Sequence, residues 1–259
     1  MKLLALVACL LSLCGCSSSS KETPTLKVAA SPTPHAIILN SVKEDLKKEG
    51  INLEIIEIDD YNIPNRSLAD KEIDANYFQH EQFLQNQIAE HHYCLVSIAT
   101  IHIEPLSLYS HTISSLSDLP DAAKIAIPND PTNEGRALAL LEQQSLISLK
   151  AGPNSTIHMI SKNPKQLQFL EIDAALLPRI LDDVSLAAIP TNYALQAGLS
   201  PAKDALAHED SSSPYVNVLV VRCGDETRED LQKLKEALTS DKTRQFILDR
   251  FHGEIVPAF

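Results

Sequence analysis

Short apolar strands alternate with amphipathic helices along this chain, and this order restricts the possible folds more than any other feature. The first unit predicts a strand over residues 26–30, a helix over residues 35–49 and a second strand over residues 52–58. Strand–helix pairs recur at residues 124–144 and 185–197. Alternating units of this kind are typical of α/β folds with largely parallel sheets. We therefore predict an α/β fold.

Two proline-flanked stretches divide the chain, one near Pro105 and one near Pro214. Each precedes a strand-like segment, residues 106–109 in the first case and residues 216–221 in the second. Hydrophobic residues make up 44% of the 259 residues, which is enough for one large core or two medium ones. If the chain forms two lobes, these stretches are candidates for the crossings between them.

The amino terminus has the features of an export signal. One positive charge, Lys2, precedes an apolar run over residues 3–13 that is about half the length needed to span a bilayer. The stretch Leu13-Cys14-Gly15-Cys16 resembles the lipobox of bacterial lipoproteins, because a small residue stands directly before Cys16. We predict a lipoprotein signal peptide over residues 1–15. The alternative is an ordinary cleaved signal peptide whose cysteines cluster by chance.

Lipidation of Cys16 would tether the mature protein to a membrane. A diacylglyceryl group on the thiol and a further acyl chain on the new amino terminus would supply the several chains that stable anchoring needs. Residues 16–24 are polar and rich in serine, so we expect a flexible tether there. The predicted location is the bacterial cell envelope, with the anchored protein facing the periplasm or the exterior.

Cys94 and Cys223 are the cysteines that remain after the predicted signal peptide and Cys16. They could pair in an oxidising compartment. Each has apolar neighbours, however, and cysteines in such surroundings are more often small hydrophobic residues. The sequence therefore implies no disulfide framework.

The charge and the glycine content exclude several classes of function. The formal net charge is -12, and no basic run offsets it, so we expect no binding to nucleic acid. The seven glycines form neither a dinucleotide fingerprint nor a phosphate-binding loop. No serine lies in a nucleophile elbow. We predict a protein that is not an enzyme and has no cofactor.

Four histidines raise the question of a metal site: His80, His91, His92 and His102. None has the His-Glu-x-x-His spacing of zinc enzymes or an equivalent local arrangement. We expect surface or core histidines and no metal site.

Residues 127–136 combine the end of a strand with the start of a helix. Asp130 suits the N-cap position, and Pro131 suits the first helical position. Asn133 and Arg136, three residues apart, would share a face near the amino end of this helix. A cation there interacts unfavourably with the helix dipole, and a bound carboxylate would compensate for this interaction. The alternative is that Arg136 is a solvated helix residue.

An aromatic cluster is a candidate for a complementary apolar slot. Phe78, His80 and Phe83 lie close together in the sequence, and Tyr61 precedes them. Aromatic side chains are more often part of a core than of a site. The cluster therefore either fills the core or lines a pocket.

Several motifs of this chain occur in a known family in the same order. They are ASPTPHAIIL, DDYNIPNRSLADKEIDANYFQHEQFL, EPLSLYS, IPNDPTNEGRALALLEQQSLI, TNYALQAGLSPAKDAL and SPYVNVLVVR. On these motifs the chain resembles the methionine-binding lipoprotein family of ABC importers over essentially its whole mature length. The segments NDPTNEGRAL and DANYFQH are the most specific part of the resemblance.

The resemblance implies a two-lobed periplasmic-binding-protein fold of type II, with two hinge crossings and a free amino acid, usually methionine, between the lobes. One lobe would comprise residues 25–108 and 219–259, and the other residues 109–218. The implied partners are an ABC permease and its ATPase. The protein would be a monomer that captures its ligand without covalent chemistry.

The resemblance also implies roles for individual residues. Arg136 would grip the ligand carboxylate, while Asn133 and Asn217 would contact the polar end of the ligand. Four residues would surround the ligand side chain: Tyr61, Phe78, His80 and Phe83. Aromatic edges are favourable neighbours for a thioether sulfur.

Two departures from the family pattern affect the predicted ligand. The family's His-x-Pro-Tyr-Leu is His-Glu-Gln-Phe-Leu here, at residues 80–84. Pro190 stands where the family commonly has asparagine, and it offers neither a side-chain amide nor a backbone N–H. Either Asn192 substitutes for that asparagine or the ligand preference shifts. The alternatives are another amino acid, a short peptide, or a non-transporting surface lipoprotein or adhesin.

Overall fold

A computed structural model of the protein describes residues 25–150, 155–210 and 212–259. The predicted signal peptide, the lipidation site Cys16 and the tether lie outside the described residues. Across the described ranges, no helix combines the length and the apolar character that crossing a membrane requires.

Strands and helices alternate through the described residues. The strands are β1 (Thr25–Ala30), β2 (Asn52–Glu57), β3 (Ala75–His80), β4 (Leu95–Ile103), β5 (Ser107–Tyr109), β6 (Lys124–Pro128), β7 (Ser148–Leu149), β8 (Ile160–Lys162), β9 (Gln168–Ile172), β10 (Leu186–Ile189), β11 (Ala207–His208), β12 (Val216–Arg222) and β13 (Val256–Pro257). The helices are α1 (Ile37–Lys48), α2 (Ile63–Ala69), α3 (Glu81–His91), α4 (Pro131–Gln143), α5 (Thr191–Gln196), α6 (Glu229–Leu238) and α7 (Asp241–Phe251). Shorter helical segments lie at Pro32–Ala36, Leu116–Asp118, Ile157–Met159 and Ala174–Asp183.

One sheet contains six strands in the order β13-β4-β12-β3-β1-β2. As the alternating pattern predicts, β1 is parallel to both of its neighbours, whereas β12 runs antiparallel to β3 and β4. Leu39 and Leu46 of α1 are buried in the same core cluster as Leu234 of α6 and Phe251 of α7. The helical spacing of the apolar residues in α1 turns one face of that helix toward this core.

The second large sheet contains five strands in the order β11-β5-β10-β6-β9. Its central strands are parallel, since β6 pairs in parallel with β9 and β10, while β5 is antiparallel to β10 and β11. Ile125 and Ile127 of β6 are buried in one cluster with Leu138 and Leu141 of α4. The predicted α/β class is therefore confirmed in both sheets.

The chain passes between the two large sheets twice. It leaves the six-stranded sheet after β4 and enters the five-stranded sheet at β5, so residues 104–106 form the first crossing. It returns between β11 and β12. The two lobes and two crossings confirm the predicted type II fold. The predicted lobe limits after residues 108 and 218 fall inside β5 and β12, and these limits stay a prediction.

Local signals in the sequence set the ends of the helices beside the second sheet. Helix α4 begins at Pro131, and the side chain of Asp130 accepts a hydrogen bond from the backbone N–H of Asn133 at 2.9 Å, as an N-cap does. Gly198, just beyond α5, has a φ of +79°, which suits glycine. The predicted start of the helix that carries Arg136 is confirmed.

Cys94 and Cys223 form a disulfide, with 5.4 Å between their Cα atoms. The expectation that they are small core hydrophobic residues is wrong, because both are exposed. The antiparallel pairing of β4 with β12 sets Leu95 opposite Arg222, so the residues just outside this pair face each other. The backbone N–H of Cys223 also donates to the carbonyl of Cys94 at 3.0 Å.

Candidate functional site

A narrow cavity of about 20 Å³ lies between the lobes, which is room for about one water molecule in this conformation. Both lobes contribute to its wall. The lining residues are Tyr61, Phe78, Gln79, His80, Phe83, Glu104, Asn133, Arg136, Pro190, Thr191, Asn192 and Asn217. The structure thus brings all eight predicted ligand-binding residues to one cavity, although they are spread over more than half of the chain.

Strand β3 and helix α3 hold the aromatic wall. Every residue of β3 is buried, and Phe78 and His80 lie near its end. His80 is also the N-cap of α3, because its Nδ1 atom accepts a hydrogen bond from the backbone N–H of Phe83 at 3.1 Å. With Nδ1 accepting, the ring proton lies on Nε2 and is donated to Asn133 Oδ1 at 3.2 Å. This hydrogen bond joins the two lobes.

Burial and the nearby charge of Arg136 lower the pKa of His80 to about 3. The imidazole is therefore neutral at neutral pH and contributes no charge to the cavity.

Tyr61 lies at the centre of the aromatic contacts. Its ring centroid is 6.0 Å from that of Phe78, 5.7 Å from that of Phe83 and 5.0 Å from that of Tyr193. Its hydroxyl donates to Asn192 Oδ1 at 2.6 Å, which makes a second hydrogen bond between the lobes. The cluster therefore lines a cavity and also takes part in core packing, so both interpretations of the aromatic residues hold.

Arg136 is buried, with 4% of its surface exposed, so it is not a solvated helix residue. Its Nε and Nη2 atoms donate to the two carboxylate oxygens of Glu209 at 2.7 and 2.6 Å, and Nη2 also donates to the backbone carbonyl of Glu104. Its Nη1 atom lies 3.4 Å from Asn133 Oδ1, and its guanidinium carbon lies 4.5 Å from the ring centroid of Tyr215. The positive charge of Arg136, near the start of α4, is therefore paired with a carboxylate of the protein. Of the three guanidinium nitrogens, Nη1 makes the weakest contact with the protein.

The amide of Asn133 has a defined orientation. Its Nδ2 atom donates to both carboxylate oxygens of Asp130, at 3.1 and 3.0 Å, while its Oδ1 atom accepts from His80 and Arg136. The N-cap of α4 therefore also positions a residue of the cavity.

The two other amides of the site differ in their pairing. Asn217 Oδ1 lies 3.0 Å from His35 Nε2. Asn192 directs Oδ1 to the Tyr61 hydroxyl, whereas its buried Nδ2 atom has no hydrogen-bond partner among the described residues. Pro190 stands at the N-cap position of α5, and no side-chain cap is present there. A buried amide donor is therefore left available next to the residue that replaces the family's asparagine.

A buried polar cluster adjoins the cavity. Glu104 Oε1 lies 2.7 Å from His102 Nε2 and 3.2 Å from His35 Nε2, and the Tyr77 hydroxyl hydrogen-bonds to His102 Nδ1. Burial lowers the pKa of His35 to about 4 and that of His102 to about 3, and it raises the pKa of Glu104. The two imidazoles are therefore neutral partners of the carboxyl group.

The four histidines considered as metal ligands do not come together. His80 is in the cavity wall, His102 is in the buried cluster, and His91 and His92 are exposed at the end of α3. Among the described residues, the donor atoms of His35, His102 and Glu104 lie within 4.8 Å of one another. Glu104 already hydrogen-bonds to His102, and His35 Nε2 lies 3.2 Å from the same carboxylate oxygen, so a metal ion would have to displace these contacts.

Gln79, Glu104 and Thr191 line the cavity but were not predicted to belong to the site, and neither was His35, which adjoins it. All four lie within the family motifs. The signal for Glu104 was a carboxyl group placed directly after the apolar strand β4 and before Pro105. A carboxyl group at the end of a buried strand needs a polar partner. The identity of that partner depends on the tertiary fold.

Comparison with known proteins assigns the chain to a family. A family model described as NlpA lipoprotein matches residues 26–259. The chain belongs to the NlpA lipoprotein family. This finding confirms the resemblance that the sequence motifs carry.

Members of the NlpA family with similar sequences include the Probable D-methionine-binding lipoprotein MetQ of Vibrio cholerae. It is 39% identical over 256 residues, which cover 98% of this chain and 95% of that protein. A solved nutrient binding protein from Burkholderia cenocepacia, bound to methionine, is 44% identical with a TM-score of 0.88, and the match covers 90% of this chain and 100% of that chain. An ABC transporter periplasmic substrate-binding protein from Coxiella burnetii is also 44% identical, with a TM-score of 0.86 and the same coverage.

Proposed function

We propose that this NlpA lipoprotein is the substrate-binding protein of an ABC importer, and that it captures a free amino acid between its lobes. Methionine is the leading ligand. The observation that carries the proposal is the cavity between the lobes, where one buried guanidinium and three asparagine side chains face an aromatic wall. Relatives of similar length are named for methionine binding, and a similar structure contains methionine.

The proposed roles divide the cavity into a polar and an apolar part. Arg136 binds the ligand carboxylate through its Nη1 edge, because Glu209 occupies the Nε and Nη2 edge. Asn133, Asn192 and Asn217 contact the polar end of the ligand. The aromatic rings around Tyr61 hold the thioether side chain, since sulfur packs well against ring edges. The protein performs no covalent chemistry in this proposal.

The proposed capture step is closure of the lobes around the ligand. The hydrogen bonds from Tyr61 to Asn192 and from His80 to Asn133 both join the lobes and both involve residues of the cavity wall. Closure would therefore bury the ligand and at the same time present a composite surface of both lobes to the permease and its ATPase. We propose a monomer that a lipid on Cys16 anchors in the cell envelope.

Pro190 favours a second candidate, in which the ligand is another amino acid or a short peptide. It lines the cavity and has no N–H, so one polar contact of the family pattern is missing. A ligand with fewer hydrogen-bonding groups at that point would fit better than one with more.

A thermal-shift experiment on the purified mature protein tests both candidates. Methionine at about 100 times its Kd should raise the free energy of unfolding by about 2.7 kcal/mol, because it binds the native state only. Leucine at the same concentration should have little effect. The Arg136→Ala variant should lose the methionine effect. If no amino acid and no dipeptide changes the melting temperature, the protein is not an amino-acid importer component, and the adhesin function takes its place.

A further inference from the structure

Tyr215 lies at the end of the second crossing, directly before β12, and it is not among the described residues that line the cavity. Its ring is buried, with 8% of the residue's surface exposed. The ring centroid lies 5.0 Å from that of His80, at an interplanar angle of 75°. The guanidinium carbon of Arg136 lies over the same ring, 4.5 Å from its centroid. His80 and Arg136 belong to different lobes, so one side chain outside the cavity contacts both.

The end of the second crossing is held against the lobe of the six-stranded sheet. Gln82 of α3 donates from Nε2 to the backbone carbonyl of Pro214 at 2.9 Å, and Tyr215 then leads into β12. His80, the last residue of β3, packs against the Tyr215 ring edge to face, which is a favourable arrangement for two rings. We therefore expect the Tyr215 ring to move with this lobe.

The start of the same crossing is held by the other lobe. Glu209 directly follows β11 and accepts two hydrogen bonds from Arg136, at 2.7 and 2.6 Å. Arg136 belongs to α4, which packs against β6 of the five-stranded sheet. A guanidinium over an aromatic ring is attracted to the ring face. Arg136 thus contacts both ends of the crossing, and its contact with Tyr215 reaches across to the opposite lobe.

The lobes are close together in this structure. The cavity between them has room for about one water molecule, and the hydrogen bonds of Tyr61 with Asn192 and of His80 with Asn133 join them. The contact of Arg136 with the Tyr215 ring is therefore a feature of the closed arrangement.

We propose that Tyr215 is a positioning residue that stabilises the closed arrangement of the lobes, because the guanidinium of Arg136 stacks on a ring that is fixed to the other lobe. When the lobes separate, the guanidinium leaves the ring and keeps Glu209 as its partner. The inference rests on the proposed capture by closure, and it identifies a residue outside the cavity that controls how tightly a ligand is held.

The expected size of the effect follows from the population of the closed state. The apparent Kd of a ligand rises in proportion as the fraction of the binding-competent state falls. Loss of a desolvated contact between a guanidinium and a ring corresponds to about a tenfold change. The residues that line the cavity are unchanged, so the loss should appear mainly in the rate of ligand dissociation and little in the rate of association.

The test measures the Kd for methionine by titration calorimetry and the dissociation rate by release of radiolabelled methionine. Tyr215→Leu should raise both by about tenfold. Tyr215→Phe keeps the ring and should stay within about threefold of the wild type. Tyr93→Leu is the matched control, because the Tyr93 ring contacts His91 of the same lobe and does not line the cavity. It should bind methionine as the wild type does.

A second variant covers the case in which Tyr215→Leu does not fold, which circular dichroism and urea unfolding report. Gln82→Ala removes the hydrogen bond to Pro214 and leaves every ring in place. It should raise the Kd by about threefold, since the ring is then held less firmly.

The outcomes separate this inference from the proposed function. If folded Tyr215→Leu keeps the wild-type Kd and dissociation rate, or if Tyr215→Phe loses as much affinity as Tyr215→Leu, the ring does not stabilise closure, although amino-acid capture still stands. If Tyr215→Leu does not fold and Gln82→Ala binds as the wild type does, the inference is overturned as well. If the wild type binds no amino acid, the proposed capture fails and this inference fails with it.

Discussion

Glu209 and Glu104 are two largely buried acidic residues next to the cavity, and their surroundings differ. Glu209 accepts two hydrogen bonds from the guanidinium of Arg136, and it also accepts from the backbone N–H of Leu106 and the hydroxyl of Ser213. Glu104 instead contacts the imidazoles of two histidines, and burial keeps both neutral. One carboxylate has a full positive charge as its partner, and the other has only neutral donors.

This difference separates an internal ion pair from a carboxyl group that has only neutral partners. Leu106 belongs to the first crossing, and Ser213 lies between β11 and β12, so Glu209 connects both crossings to Arg136 of α4. The guanidinium is therefore oriented before a ligand arrives, and its charge is already matched within the protein. Among the described residues, no lysine or arginine side chain hydrogen-bonds to the Glu104 carboxylate, and its side-chain contacts are with the neutral imidazoles of His35 and His102.

Lowering the pH should destabilise the protein mainly through its three buried histidines. The pKa values of His35, His80 and His102 are lowered to about 4, 3 and 3, from 6.5 in the unfolded chain. Between pH 6.5 and about 4 the unfolded state binds more protons, so stability is present above pH 6.5 and is lost as the pH falls. We expect each histidine to contribute about 2 kcal/mol of this loss between pH 7 and pH 5.

Glu104 acts in the opposite direction, because its raised pKa makes the folded state bind a proton more readily, and it offsets part of the loss. Urea unfolding at pH 7, 6 and 5 measures the net effect. A free energy of unfolding that is equal at pH 7 and pH 5 would contradict the neutral, buried state of the three imidazoles.

Removing the Glu209 charge should lower the free energy of unfolding at pH 7. Glu209→Leu leaves the guanidinium of Arg136 buried and unpaired, which costs about 3–5 kcal/mol. Urea unfolding at pH 7 measures this loss. The double variant with Arg136→Met should recover most of the stability, because neither charge is then buried. If the single and double variants are equally unstable, the ion pair is not the reason for the loss.

The disulfide between Cys94 and Cys223 lies away from Glu104 and Glu209, so its removal should change the stability of the protein without changing ligand binding. Replacing Cys94 and Cys223 by serine should lower the free energy of unfolding by about 2–4 kcal/mol, since the bond closes a loop over a separation of 129 residues. The affinity for methionine should stay the same, because neither cysteine lines the cavity. Calorimetric titration of the double variant checks this, and a loss of affinity would show that strand pairing at this end of the sheet affects the site.

The sequence predicted the parts of the fold that depend on local patterns. Apolar periodicity indicated β1, α1, β2 and β6, and the Asp130 cap with Pro131 predicted the start of α4. The aromatic residues and the three asparagines of the cavity were predicted from the resemblance to the family motifs, whereas Gln79 was not. Each of these features lies within one short segment, so no knowledge of the tertiary fold was needed.

The missing parts all depend on contacts between distant segments. The partner of Arg136 is Glu209, 73 residues away, and a bound anion was expected to have the role that this carboxylate has. Glu104 contacts His35 because the helical segment Pro32–Ala36 lies against the end of β4. No pattern within either segment predicts this contact. Cys94 and Cys223 face each other only through the register of β4 with β12.

The fixed amide of Asn133 sets a rule for what can approach it. Because Nδ2 of Asn133 donates to the Asp130 carboxylate, a flip of the amide would break that hydrogen bond, and the amide presents its oxygen to His80 and Arg136. A ligand group that contacts this oxygen has to donate a hydrogen bond to it. A carboxylate oxygen is repelled by Asn133 Oδ1 and fits instead against the Nη1 edge of Arg136, so the first turn of α4 selects ligand groups by their polarity.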